Sequence, residues 1–166
     1  GTRRGISNRK AIIGQYDINR EGSGDMYSKG ANLLHTIRQL AKDDEVWRQT
    51  LRGLNEEFYH STVTTKEIED FISKSIGMDL SKVFDQYLRD VRVPVFEYEI
   101  TNGELKYRWN NVIDGFDMPI EVIIDEKNTI LNPSTEFKKI PIKNLFINVD
   151  DDYYIFTKDL KIIIDP

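Results

Sequence analysis

Around Val93-Pro94 the spacing of apolar residues changes from helical to alternating, and no other feature of the sequence constrains the fold as strongly. A run of helices followed by a run of strands defines an α+β chain, with a helical part over residues 1–92 and a strand part over residues 93–166. A chain of 166 residues is long enough for one ordinary domain or two small ones.

The helical part predicts about four helices. Ahead of them, residues 1–24 read as loop, with Ile12, Ile13, Tyr16 and Ile18 as anchoring contacts. Asp25 is placed as the N-cap of a first helix running to about Lys42, because its carboxylate can accept from exposed backbone N–H groups. Gly30, Leu34, Ile37 and Ala41 recur at helical spacing and predict its buried face, with Gly30 permitting a close backbone approach. A second helix over Asp44 to His60 presents Trp47, Leu51, Leu54 and Phe58 at the same spacing, so the two are expected to pack as an antiparallel pair. Thr64 and Glu67 form a capping box that opens a third helix ending at Gly77, with Ile68, Phe71, Ile72 and Ile76 inward. Asp79 is placed as the cap of a fourth helix whose inward positions are Leu80, Val83, Phe84, Tyr87 and Leu88.

In the strand part, Asn102-Gly103 accepts positive φ at both positions and closes a two-residue hairpin. Pairing Thr101 with Glu104 then sets Ile100 opposite Leu105, Tyr98 opposite Tyr107 and Phe96 opposite Trp109 on one face, with Glu99 opposite Lys106 and Glu97 opposite Arg108 on the other. A slip of one residue spoils all five pairs, so the register is fixed. The aromatic stripe shares its face with Ile100 and Leu105 and therefore reads as core rather than as a sugar- or peptide-binding surface. Further strands over residues 120–124, 129–131, 136–139, 144–149, 153–157 and 160–164 bring the expected total to about eight, arranged as an antiparallel β-sandwich.

Composition narrows the function. A net charge of -5 argues against nucleic acid and anionic membrane surfaces as partners. The absence of cysteine removes disulfides, thiolate metal sites and cysteine nucleophiles, and leaves the compartment undecided. The longest apolar runs, such as Ile162 to Ile164, are too short to span a bilayer. Beginning with Gly1 rather than Met, the chain fits a piece of a longer polypeptide.

Met26-Tyr27-Ser28-Lys29-Gly30-Ala31 continues into LLHTIRQL, VWRQTLRGLNEEFY, VTTKEIEDF and FDQYL. This ordered series resembles zinc aminopeptidases of the aminopeptidase N and leukotriene hydrolase type, the gluzincin metallopeptidases, from Asp17 to about Trp109. The resemblance implies that this is a C-terminal portion: the helical end of a thermolysin-like catalytic domain followed by a small β-sandwich spacer. It implies a zinc-dependent enzyme acting on the N-terminal residues of peptide substrates, with an upstream catalytic-domain segment as partner. The same resemblance makes Tyr27 the catalytic residue, its hydroxyl donating to the oxyanion formed when zinc-activated water attacks the scissile carbonyl. A phenol stays protonated at neutral pH, so it can donate to developing negative charge there.

The HExxH zinc motif of that family is absent, and the chain has only His35 and His60. Neither is read as a ligand: His35 lies beside the apolar stripe of the first helix, and His60 is placed at the C-terminus of the second. No metal is therefore expected on this chain, which is expected to be inactive alone, the zinc belonging to the intact protein. Asp150-Asp151-Asp152 lacks the alternating ligands and central glycine of a calcium loop and reads as a solvated turn. Lys29 and Arg38 read as solvated helix cations without a role. The alternative to the enzyme reading is a non-catalytic protein- or ligand-binding module on the same scaffold.

Overall fold

The computed structural model describes residues 3–14, 23–143 and 146–161. The expected anchors Tyr16 and Ile18 lie outside them, as do Asn144, Leu145 and most of the strand expected at residues 160–164. Among the described residues four α-helices precede two sheets, giving the α+β architecture predicted.

The first helix, α1 (Asp25–Ala41), starts after Gly24, which makes no side-chain cap. The expected cap, Asp25, lies inside the first turn, its carboxylate directed back to the loop before the helix rather than to the helix's own amides. The buried face also differs from the expected one. It runs through Leu33, Ile37 and Leu40 together with Asp25, Lys29, Asn32 and Thr36. Leu34 is 43% exposed, and open space stands where a Cβ on Gly30 would project, so no backbone approaches there. Polar residues with fixed partners, not apolar spacing alone, set the phase of this helix.

The second helix, α2 (Asp44–Glu57), is capped by the Asp43 side chain, which accepts from Glu45 N at 2.7 Å. It packs on α1, with Trp47 and Leu54 against the core and Leu51 exposed. It ends three residues before His60, which stands in a following turn at φ 53, so the histidine is not at a helix terminus. In α3 (Thr65–Ile76) both hydrogen bonds of the Thr64–Glu67 capping box are present, and Gly77 ends the helix at φ 70. The fourth helix divides into a short α4 (Ser81–Phe84) and a π-helical turn over Asp85–Arg89. Asp79 accepts from Ser81 N at 2.9 Å, while Leu80 occupies the cap position.

The described strands are β1 (Val95–Thr101), β2 (Glu104–Asn110), β3 (Ile120–Ile124), β4 (Lys127–Leu131), β5 (Lys138–Pro141), β6 (Asn148–Val149) and β7 (Phe156–Asp159). They form one sheet ordered β5-β2-β1-β7 and another ordered β4-β3-β6. The β1–β2 register is the predicted one at every pair, with Asn102 and Gly103 at φ 54 and 74. Gly103→Ala places a Cβ in left-handed backbone and is expected to cost about 1–2 kcal/mol, read as a lower urea midpoint at unchanged slope. One pairing departs from the all-antiparallel expectation: β7 runs parallel to β1. Tyr153, Tyr154 and Ile155, expected within that strand, are buried in a bend before it.

One apolar cluster runs through both parts of the chain, from Leu33, Ile37 and Tyr87 to Phe96, Trp109, Ile120 and Val122. Polar bonds cross the same junction. Thr36 Oγ1 accepts from Tyr154 N at 2.9 Å, and the Tyr87 hydroxyl donates to Tyr154 O at 2.7 Å. Gln86 donates to Arg92 O and accepts from Ile113 N, which satisfies both ends of its buried amide.

Glu97, set opposite Arg108 on the other face of the hairpin, is buried. Burial opposes its charge, but hydrogen bonds from Asn110 and Arg108, with the charges of Arg108 and Lys158, outweigh it and hold the carboxyl below the usual carboxylate range. A carboxylate with a depressed folded pKa stabilises above its unfolded value, near ~4.3, and loses that contribution as pH falls through the folded one. Glu97→Gln is accordingly expected to be less stable than the parent chain at pH 7, with the gap narrowing as the pH falls below the unfolded value near ~4.3. Urea midpoints across that range check it.

Candidate functional site: the exposed face of the first helix

Tyr27 sits in the first turn of α1 and is 75% exposed. Met26, Ala31 and Leu34 are exposed on the same helix, so a largely apolar row surrounds the phenol on the outer side. The first turn carries the positive end of the helix dipole, a setting that favours developing negative charge nearby. An exposed hydroxyl there is available as a donor to a group brought up from outside.

The opposite side of the helix explains how that turn is held. Asp25, Lys29, Asn32 and Thr36 follow one another at spacings of four, three and four residues and are all buried. At roughly 100° per residue, Tyr27 points about 180° away from this polar row. Asp25 accepts from Ser7 N at 2.8 Å and Asn8 N at 2.7 Å. Burial works against its charge, but these amide bonds, the Ser7 hydroxyl and Lys29 keep its carboxyl below the usual range. Lys29, fully buried, donates from Nζ to Asp90 O at 2.9 Å. Desolvation pushes its ammonium pKa down, opposed by the charges of Asp25 and Asp90. The solvated lysine expected from sequence is thus an interior one.

Arg38 forms a two-pronged bond to Asp44, both contacts at 2.8 Å. His35 Nε2 lies 3.1 Å from Asp152, a structural partnership across the two parts of the chain. His60 lies on the turn after α2, with the Tyr59 ring edge-on at 4.2 Å. Asp150 accepts from Asp152 N at 2.9 Å, and Arg3 donates to the Asp151 and Tyr153 carbonyls, as a turn requires. Among the described residues no three His, Cys, Asp or Glu side chains gather so as to hold a metal ion. None of the described helices is long and apolar enough to cross a membrane.

Of the residues the sequence singled out, the structure leaves Tyr27 outermost, while His35 and His60 are engaged with Asp152 and Tyr59. It adds the row of Asp25, Lys29, Asn32 and Thr36, which apolar spacing does not reveal. The signal was a four-three-four repeat of polar residues in phase with Leu33, Ile37 and Leu40.

No protein-family model matches the chain. Aminopeptidase 2 of Candida albicans (strain SC5314 / ATCC MYA-2876) is 22% identical over 151 residues, a match covering 82% of this chain and 16% of that protein. The crystal structure of Legionella pneumophila aminopeptidase A in complex with aspartic acid superposes with a TM-score of 0.59 at 15% identity, over 82% of this chain and 18% of that one. The chain therefore spans about one sixth of the length of these proteins; the sequence match relates it to aminopeptidases, and the superposition shows a like fold.

Proposed function

We propose that this chain is part of a zinc-dependent aminopeptidase of the gluzincin type that removes N-terminal residues from peptides, and that Tyr27 is its oxyanion donor. On this proposal residues 1–92 complete the catalytic domain and residues 93–166 form a spacer. On the same proposal the zinc ligands, the water-activating glutamate and the groups gripping the substrate amine would lie in an upstream segment, since the sequence carries no HExxH motif. The proposal has the isolated chain inactive.

The observation that carries the reading is the placement of Tyr27: an exposed phenol on a helix whose far side is anchored by buried polar bonds, within a chain related to aminopeptidases. A donor fixed before the reaction needs no reorganisation when negative charge develops on the scissile carbonyl oxygen. The exposed Met26, Ala31 and Leu34 fit coverage by further polypeptide.

That apolar row also favours a second reading, a non-catalytic docking module. The two separate on the longer polypeptide that carries this chain. The enzyme reading requires HExxH upstream, then a glutamate ligand, and release of N-terminal residues that falls sharply in Tyr27→Phe at unchanged zinc content. A polypeptide without the motif, or undiminished turnover in the variant, rejects it.

A further inference from the structure

We infer that Lys29 is a positioning residue that acts through Tyr27, fixing the rotation at which the first turn of α1 presents the phenol; this rests on the proposed oxyanion role of Tyr27. A buried ammonium is strongly unfavourable unless every part of its surroundings compensates it. Among the described residues Lys29 Nζ donates to the Asp90 carbonyl at 2.9 Å, with Asp25 one turn earlier on the same face. Asp90 is itself held, since its carboxylate accepts from Arg92 N at 2.7 Å and from the Arg92 guanidinium at 2.9 and 3.0 Å.

These contacts tie α1 to the segment just before Val93-Pro94, where the helical part passes into the strands. Asp25 ties the same turn to Ser7 and Asn8, and Thr36 ties the next turns to Tyr154. Three separate stretches of chain therefore fix one helix face. A rotation of α1 by one residue, roughly 100°, would expose Asp25 and Lys29 and strand their partners, which an apolar face of leucines would not resist so strongly. Tyr27 lies two residues from both charged anchors, so its direction follows from theirs.

A double-mutant cycle in the longer enzyme tests this, because a residue that works only through Tyr27 loses its effect when the hydroxyl is gone. Tyr27→Phe is measured first. With Tyr27 intact, Lys29→Met is expected to lower kcat by about 10- to 100-fold with KM within about 2-fold, the scale of a misplacement near 1 Å. In the Tyr27→Phe background the same substitution is expected to change kcat by less than about 2-fold. Where the methionine variant does not fold, Lys29→Arg, whose longer side chain must displace the helix start to reach the same carbonyl, goes through the same cycle with the same expectation.

An equal loss in both backgrounds shows Lys29 to be merely structural and overturns the inference, as does no loss in either. Unchanged turnover in Tyr27→Phe alone is a different failure: it removes the oxyanion role itself, and the positioning role with it.

Discussion

If Tyr27 is the oxyanion donor proposed above, Tyr27→Phe in the longer polypeptide is expected to lower kcat by about 10²- to 10³-fold, the usual consequence of removing one such donor. The substitution keeps the ring and removes only the hydroxyl. Because the residue is 75% exposed, folding stability is expected to stay within about 0.5 kcal/mol of the parent. The lost interaction forms fully only as charge develops, so KM is expected to change little while kcat falls. Tyr59, 74% exposed on the turn after α2, provides the control, and Tyr59→Phe is expected to leave kcat unaltered. A comparable loss in both variants would mean that the assay reports damage to the surface rather than the loss of a donor.

The second large effect is on stability and can be measured on this chain alone. Trp109 is 1% exposed and lies edge-on to Phe96 and to Phe116, each with ring centroids 5.6 Å apart. Its Nε1 donates to Met118 O at 2.9 Å, so one side chain joins β2, the opposite β1 position and the loop before β3. Trp109→Ala removes the largest fully buried side chain and leaves that carbonyl without its donor. The expected cost is about 3–5 kcal/mol from the cavity, with roughly 1 kcal/mol or more from the unpaired carbonyl. Since domains are stable by about 5–15 kcal/mol in total, the variant should lose a large share and melt about 10 °C lower or more. Loss below about 1 kcal/mol in urea denaturation would show that Trp109 is not packed as described here.

The same residues show why some of this fold was legible in the sequence. Asn102-Gly103 and the alternating Phe96, Tyr98 and Ile100 constrain one hairpin independently, through backbone sign and through face, so a single register satisfies both. Thr64 and Glu67 are equally local, each supplying the group that satisfies the other's amide. The phase of α1 was hidden because a search for apolar repeats takes Leu34 as inward and Lys29 as outward. Their placement depends on Asp90 and Asn8, which lie 61 and 21 residues away from Lys29 along the chain. The parallel β1–β7 pairing was hidden for a related reason. No turn joins the two strands, and their contacts, such as Phe156 N to Pro94 O at 2.9 Å, follow from the path of the whole chain. Tyr27 itself was legible only through the motif around it; helix periodicity would have left it as one more exposed aromatic residue.

The most direct test of the oxyanion role compares two inhibitors of the longer enzyme with and without the Tyr27 hydroxyl. A phosphinic peptide analogue carries a tetrahedral centre with a negative oxygen where the reacting carbonyl oxygen would stand, whereas an uncleaved planar amide analogue does not. If Tyr27 donates to the oxyanion, Tyr27→Phe weakens the phosphinic analogue by about 10²-fold or more and the planar analogue by less than about 3-fold. Equal weakening of both analogues, or none of either, contradicts it.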